Sequence, residues 1–495
     1  TLKQPGNSID CVMDAASTTL PIFEFNKGGH LRQFVTSGST LSTVDLRPGK
    51  KLKANNPVDF MEIQSRRLQN KFRAAFLPEA EGVSDEYYDY CRWRFVQRIA
   101  SSALSVLATQ QMLFAVGLGA KRALPTAAAL NWVLKDGLGR LGKLTVATNF
   151  GRRFDADIKR FRFTSSLIYD ASAGIEILTP LFPQHFLLLA TLANVGKSIG
   201  VTTANVVRAP IQMSFSLKAN LADIAARTSA QQVLADNLGL AGAVVMTAWV
   251  SRMPRARAML PFAMYPLLAA ADLSCIHAEL KCVQLKTINK ERGEIIAEHW
   301  LDKGRAPTFA EVASEEYLLF PPTHEEGALP LQIRPLSFAV HSMETLKEVV
   351  ASRHRVGGEP GRYFLTYQNA QMEDNIGVKT WRLIRKALPA PGKKLARWRG
   401  RAMLALHEDY RPADVLTALL QVSHLRRLPY RKDMTAEQAC TWAMEESLSR
   451  ARKDFPKFVH DIKDQGWQCD QILLSSAEKV TFKVEGGLES LEKKL

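Results

Sequence analysis

From Ile63 to about Arg305 apolar residues recur at helical spacing, punctuated by Pro125, Gly151, Pro180, Pro183, Pro210, Pro254 and Pro261. The pattern predicts a domain, 63–305, of roughly six or more helices of about 15 to 30 residues each. Pro125 suits the first turn of a helix through AAALNWVL, where its missing N–H costs nothing. Leu130, Val133, Leu134, Leu138 and Leu141 then share one face of that helix. Ahead of this region, 1–62 alternates short apolar pieces with Gly, Ser and Asn and predicts an extended arm with one or two strands. Behind it, DKGRAPTFAEVASEEYLLFPPTHEEGALP is a linker-like stretch, and the pattern changes. LQIRPLSFAV, RYFLTYQ and KVTFKV read as strands, while METLKEVVASR, ADVLTALLQVSHLRR and AEQACTWAMEESLSRARKDF read as amphipathic helices. The expected architecture is therefore mainly α: a multi-helix apolar core domain followed by a smaller α+β C-terminal domain over 306–495.

Within the helical region Ile99 to Ala120 runs 22 residues without a charge, between Arg98 and Lys121–Arg122, and is long enough to cross a bilayer. Ile177 to Gly196, Asn237 to Ser251 and Ala258 to Ala271 are shorter or broken apolar runs. A mean hydropathy of −0.11 argues against a chain that is mostly membrane. The Ser, Thr, Gln and Gly of the first run suit helix–helix contact as well as lipid, so a membrane protein and a large soluble helical core stay open together.

The 495 residues are ample for a real core, and 46% hydrophobic with 23% charged residues excludes a wholly disordered chain. Sixty-five Lys and Arg against 49 Asp and Glu give a formal charge of +16 and favour an anionic partner: nucleic acid, a lipid surface or an acidic protein. Lys379, Arg382, Arg385, Lys386, Lys393, Lys394, Arg397, Arg399 and Arg401 form a basic stretch without an acid, with Trp381 and Trp398 interleaved. No RNP-like strand or other nucleic-acid module accompanies it, which favours an anionic membrane surface or an acidic protein over nucleic acid. The six cysteines are scattered with no CxxC, which argues against a disulfide scaffold; Cys275 and Cys282, with His277 between them, fall short of the four ligands of structural zinc. Thr1 stands where an initiator Met would, leaving open a removed transit peptide or a later start.

Motifs for chemistry are few. Gly137, Gly139 and Gly142 spell GxGxxG, with Asp155 placed where a ribose-binding acid would lie, but a helix rather than a strand leads into them. A small-residue face for helix packing is the favoured reading. Gly196-Lys197-Ser198 imitates the end of a Walker A loop, yet Thr191 holds the position of the leading glycine. HExxH and EF-hand patterns do not occur, and no metal or cofactor is expected. Asn131, Lys135 and Asp136 interrupt an apolar helix, and buried charges need partners. Asp136, Asp155, Asp170 and Asp223 are candidate partners for Lys135, Lys159, Arg162, Lys197 or Arg208 in one internal polar network, with a ligand pocket as the alternative.

An ordered series of segments carries a resemblance. FLPEAEGVSDEYYDYCRWRFVQRIASSALSVLATQQMLFAVGLGA, PTAAALNWVLKDGLGRLGKL, FGRRFDADIKRFRF, LTPLFPQHFLLLATLANVGKSI, VVRAP and NLADIAARTSAQQVLADNLGLAG together resemble the root UVB sensitive family over about Leu77 to Cys282. Looser similarity runs through EEYLLF, ADVLTALLQVSHL and Gly466-Trp467, and EAEGVSDEYY departs from the family's Gly-Tyr-Pro turn. The resemblance implies plastid association in plants, genetic links to seedling development, UV-B responses, vitamin B6 balance and auxin transport, and an organelle membrane protein in an animal relative. It implies no established reaction and no catalytic residues. Its motif positions fall at Asn131, Trp132, Lys135, Asp136, Gly137, Asp155, Lys159, Arg162, Lys197, Arg208, Asn220 and Asp223.

Two functions are therefore expected to compete. The favoured one is a noncatalytic helical protein at an organelle membrane, plastid before mitochondrion, serving as scaffold, assembly factor or subunit of a larger complex with other proteins. The alternative is a protein that binds or transports a small molecule, such as a phosphorylated metabolite or B6 vitamer.

Overall fold

The computed structural model describes residues 17–25, 31–37, 40–45, 73, 75–120, 137, 156–250, 254–318, 329–338, 340, 346, 362–368, 401–429, 431, 433–476 and 478–483. The chain divides into two compact units, Thr1–Ala75 and Phe76–Leu495. In the first, β1 (Ser17–Phe25), β2 (Leu31–Ser37) and β3 (Thr40–Asp45) form an antiparallel meander, one strand more than the one or two expected. Its register slips between Thr19 and Phe23, around Pro21, which has no N–H to give to the ladder.

The second unit is mainly α with a smaller α+β part, as the pattern predicts. Its helical part holds α1 (Glu86–Ala120), α2 (Ile158–Leu178), α3 (Phe186–Ser214), α4 (Leu221–Val250) and α5 (Pro254–Lys281). Helix α1 is the hub, packed on α2, α4 and α5, with Leu104, Leu107 and Ala108 fully buried. The apolar run that begins at Ile99 thus lies, as far as Met112, largely inside the bundle. Tyr87, Tyr90 and Phe215 stack at the entrance of α1, the last two 4.8 Å apart between ring centres. Val83 bridges to Ser216 there, so EAEGVSDEYY enters the helix through a short 3-10 turn and one strand-like contact. Pro210 in α3 and Pro261 and Pro266 in α5 lie inside continuous helices rather than ending them. Pro180 and Pro183 do break the chain, within the two 3-10 turns that join α2 to α3.

The chain then leaves the bundle through β4 (Thr287–Asn289), α6 (Lys290–Lys303) and α7 (Phe309–Glu315). Asn289 caps α6 by accepting from the Arg292 N–H at 2.8 Å, and Gly304, at φ 68°, closes it by donating to the Trp300 carbonyl. Ile288, Ile296, Ala297 and Trp300 are buried in a second core with residues from 306 to 474. That core is built on β5 (Leu331–Ile333), β6 (Tyr363–Gln368), β7 (Arg401–His407), α8 (Pro412–Arg427), α9 (Ala436–Asp464), β8 (Gln468–Leu473) and β9 (Thr481–Phe482). Strand β7 is central, antiparallel to β6 and parallel to β5 and β9, and Ala402 to Leu406 are all buried. Strand β4 pairs in parallel with β8, Thr287 opposite Gln468. Pro335 stops LQIRPLSFAV as a strand after Ile333, and a 3-10 turn at Leu336–Phe338 comes next. Of METLKEVVASR only Leu346 lies within the described residues, and of the basic stretch only Arg401, the first residue of β7.

Candidate functional site

A polar stripe runs through the interior of the bundle, between its apolar clusters. One face of α2 carries Lys159, Arg162, Ser166, Asp170 and Glu176, spaced so that each lies one or two turns from the next, and all are buried. Against this stripe α1 presents Arg94 and Gln97, α3 presents Lys197, and α5 presents Asp272 and Glu279. Glu279 is fully buried between two guanidiniums, 3.6 Å from Arg94 and 3.9 Å from Arg162. Arg162 also donates to Ser166 Oγ at 2.9 Å, and Arg94 to Gln232 Oε1 at 3.2 Å. Lys197 pairs with Glu176 and lies over the Tyr169 ring. Arg98 donates through Nε and Nη2 to Asp236 Oδ1, and Gln97 Nε2 donates to Asp272 Oδ1 at 2.6 Å. Arg208 is half-buried on α3, within electrostatic reach of Arg94 and Arg162.

A second cluster joins the start of α2 to the C-terminal part. Lys159 pairs with Glu316, which also accepts from Arg292 at 3.1 Å. Arg160 pairs with Glu291 and, at 3.1 Å, with Asp157. Asn289 Nδ2 donates to the Ala156 carbonyl at 2.7 Å, and Lys281 Nζ to the carbonyls of Ser314 and Glu316. A narrow cleft runs among these groups, lined by Asp157, Arg160, Glu291 and Tyr317. Burial pushes the Glu291 carboxyl up, against the pull of Arg160, and holds the Lys159 ammonium down, against the pull of Glu316. With each cation matched to an acid or a carbonyl, the cluster works as a lock between the bundle and the C-terminal part.

Of the expected positions, the structure brings Lys159, Arg162, Lys197 and Arg208 to buried or half-buried places on α2 and α3. Asp223 lies apart, paired with Arg227 at 3.1 Å one turn along the partly exposed start of α4. Asn220 just precedes that helix and accepts from Ser216 Oγ at 2.9 Å. Asn131, Lys135, Asp136 and Asp155 lie outside the described residues. The acids that meet the cations are Glu176, Glu279 and Glu316, none of them named from sequence; a charge within an apolar helical repeat was the signal available for the first two. Gly196-Lys197-Ser198 sits in mid-helix, with Gly196 against Ser172 Oγ, so it forms no phosphate loop. Among the described residues no three His, Cys, Asp or Glu side chains converge as a metal set, and Cys275 and Cys282 are free thiols.

The polar stripes coincide with the segments of a known domain. A family profile described as the vitamin B6 photo-protection and homoeostasis domain matches residues 62–304, and one described as the C-terminal part of root UVB sensitive protein matches 394–479. The chain belongs to the root UVB sensitive family. Root UVB sensitive protein 4 of Arabidopsis thaliana is 34% identical over 419 residues, 82% of this chain and 75% of that protein. Root UVB sensitive protein 2 of the same plant, named as chloroplastic, is 30% identical over 69% of this chain and 76% of its own length. RUS family member 1 of Dictyostelium discoideum is 26% identical over 64% of this chain and 57% of its own. No solved structure matches this root UVB sensitive chain.

Proposed function

We propose that this root UVB sensitive protein is a noncatalytic helical protein embedded in an organelle membrane, where it serves as a scaffold, assembly factor or subunit of a larger complex. One observation carries the reading: the bundle buries a network of charges among its apolar core residues, while its outer face is apolar. Helices α3, α4 and α5 are long and apolar enough to cross a bilayer, and only 17% to 22% of the most apolar stretch of each is buried. Leu188, Val245 and Leu267 are about two-thirds exposed and Trp249 is 84% exposed, while Arg94, Arg162, Asp170, Asp272 and Glu279 are buried. Water makes the reverse arrangement favourable, and lipid makes this one favourable. The chloroplastic name of one relative supports a plastid membrane. The experiment is a wash of native membranes with high salt and then carbonate. Salt at 1 M shortens electrostatic reach to about 3 Å and strips a protein held by charge; this protein is expected to stay. Complete release overturns the reading. Chemical cross-linking in the retained fraction then identifies the partner subunits.

A second reading rests on Arg94 and Arg162, which share one carboxylate, Glu279, and on Arg208, which lies within electrostatic reach of both guanidiniums. Such a surplus suits a phosphate, and the description of the matched domain suggests a phosphorylated B6 vitamer as its source. Equilibrium dialysis against that vitamer tests it: retention that Arg208→Gln abolishes supports it, and no retention removes it.

A further inference from the structure

Asp170 on α2 and Asp272 on α5 are 2% and 1% exposed, and their carboxyl groups lie within hydrogen-bonding reach of each other. Gln97 serves one oxygen, Asp272 Oδ1. Asp170 Oδ1, Asp170 Oδ2 and Asp272 Oδ2 find no donor among the described residues, and the buried Gln97 Oε1 accepts from none either. The surrounding charges are committed elsewhere. On α2, Arg162 is held by Ser166 and Glu279, and Glu176 by Lys197 from α3. On α1, Arg94 faces Glu279 and Arg98 is bound to Asp236 of α4. On α5, the Tyr265 hydroxyl donates to the backbone carbonyl of Asp170, not to its carboxyl. Two acceptor-only carboxylates placed face to face in a dry site repel, and a single proton turns the repulsion into an O–H···O bond.

We propose that Asp170 and Asp272 hold one proton between them and form a proton-binding site inside the bundle. The proton comes from hydronium in bulk water: one O–H bond forms on a carboxylate, one breaks on hydronium, and water leaves. A metal ion fits less well, because among the described residues no third His, Cys, Asp or Glu side chain joins the pair to complete a metal set. The bond bridges α2 and α5, so gain or loss of the proton tightens or loosens the contact between these two helices. The site goes beyond the membrane reading and does not need it, since a dry carboxyl pair holds a proton in a soluble bundle too.

Infrared difference spectroscopy of the purified full chain in phosphatidylcholine vesicles, titrated from acid to alkaline pH, tests the site. At pH 7 exposed Asp and Glu are ionised, so a protonated-carboxyl C=O band at that pH reports a buried acid. The expected result is one such band per chain attributable to the pair, lost at alkaline pH, lost in Asp170→Asn and in Asp272→Asn, and retained in Glu291→Gln. The wild-type titration stands alone if an Asn variant fails to fold. Absence of the band at pH 7 in the wild type overturns the proposal, as does its survival in both Asn variants or a band that responds to sodium or potassium at fixed pH. Release from membranes by carbonate, with the band present once the released chain is returned to pH 7, would remove the membrane reading and leave the proton site standing.

Discussion

Glu279 has no hydrogen bond of its own among the described residues, yet it is the counter-charge for Arg94 and Arg162. Replacing it by Ala strands two buried guanidiniums and should cost about 3–5 kcal/mol, the usual penalty for breaking a buried pair from one side. A melt of the detergent-solubilised chain checks this; Glu81→Ala, which removes an exposed partner of Lys218, should leave the midpoint unchanged. His424 offers a second test. Burial lowers it from the ordinary histidine value of about 6.5, with Asp454 opposing at 3.1 Å and Arg427 and Arg450 reinforcing. The folded chain therefore binds fewer protons than the unfolded one as pH falls below that value, so stability is full above it and is lost as pH falls through the lowered folded value. Melting curves between pH 7 and pH 5 should show the loss, and His424→Gln should flatten that part of it. Lys159, Arg162, Lys197 and Arg208 were legible in the sequence as basic residues within a helical region, whereas the buried Arg94 and Arg292 were not. Their partners were not, because α3 to α7 lie between Lys159 and Glu316, and α2 to α4 between Arg94 and Glu279. Pairing is a tertiary property that no local pattern records.

At the scale of elements, the bundle depends on close approach. A Cβ at Gly239 would sit 2.5 Å from the Ile99 carbonyl oxygen and 2.8 Å from Ser102 Cβ, and one at Gly200 would sit 2.7 Å from the Ser165 carbonyl oxygen. Backbone cannot step aside, so Gly239→Ala and Gly200→Ala should each cost about 1–3 kcal/mol as α4 is forced off α1 or α3 off α2. At Gly242 nothing lies within 4 Å, and Gly242→Ala should gain up to about 1 kcal/mol in helix propensity. Comparing the three melting midpoints checks the packing directly. Periodicity exposed the long helices well, since α4 and α5 contain the apolar runs Asn237 to Ser251 and Ala258 to Ala271 almost whole. It missed β4, β7 and β8: Ala402 to Leu406 of β7 are buried on both faces and so show no alternation, while β4 and β8 become strands by finding each other.

For the whole molecule, the second core reaches back into the stretch before residue 305. Trp300 is 6% exposed, packs edge-on against Phe458 with ring centres 5.5 Å apart, and donates through Nε1 to Asp461 at 2.8 Å. A chain cut after 305 should therefore expose Ile296 and Trp300 and aggregate, whereas the uncut chain should elute as a single species in size-exclusion chromatography in the same detergent. The parallel pairing of β4 with β8 also has a consequence in time. During synthesis the ribosome releases the bundle helices first, and local helical contacts form as they emerge. Strand β4 then waits, its edge unpaired, until β8 has been made, and Ile288 and Trp300 stay without their cover for the same interval. A growing chain of this protein thus passes through a stage at which one part of this core has been made and the rest has not, and that is when a chaperone has most to protect.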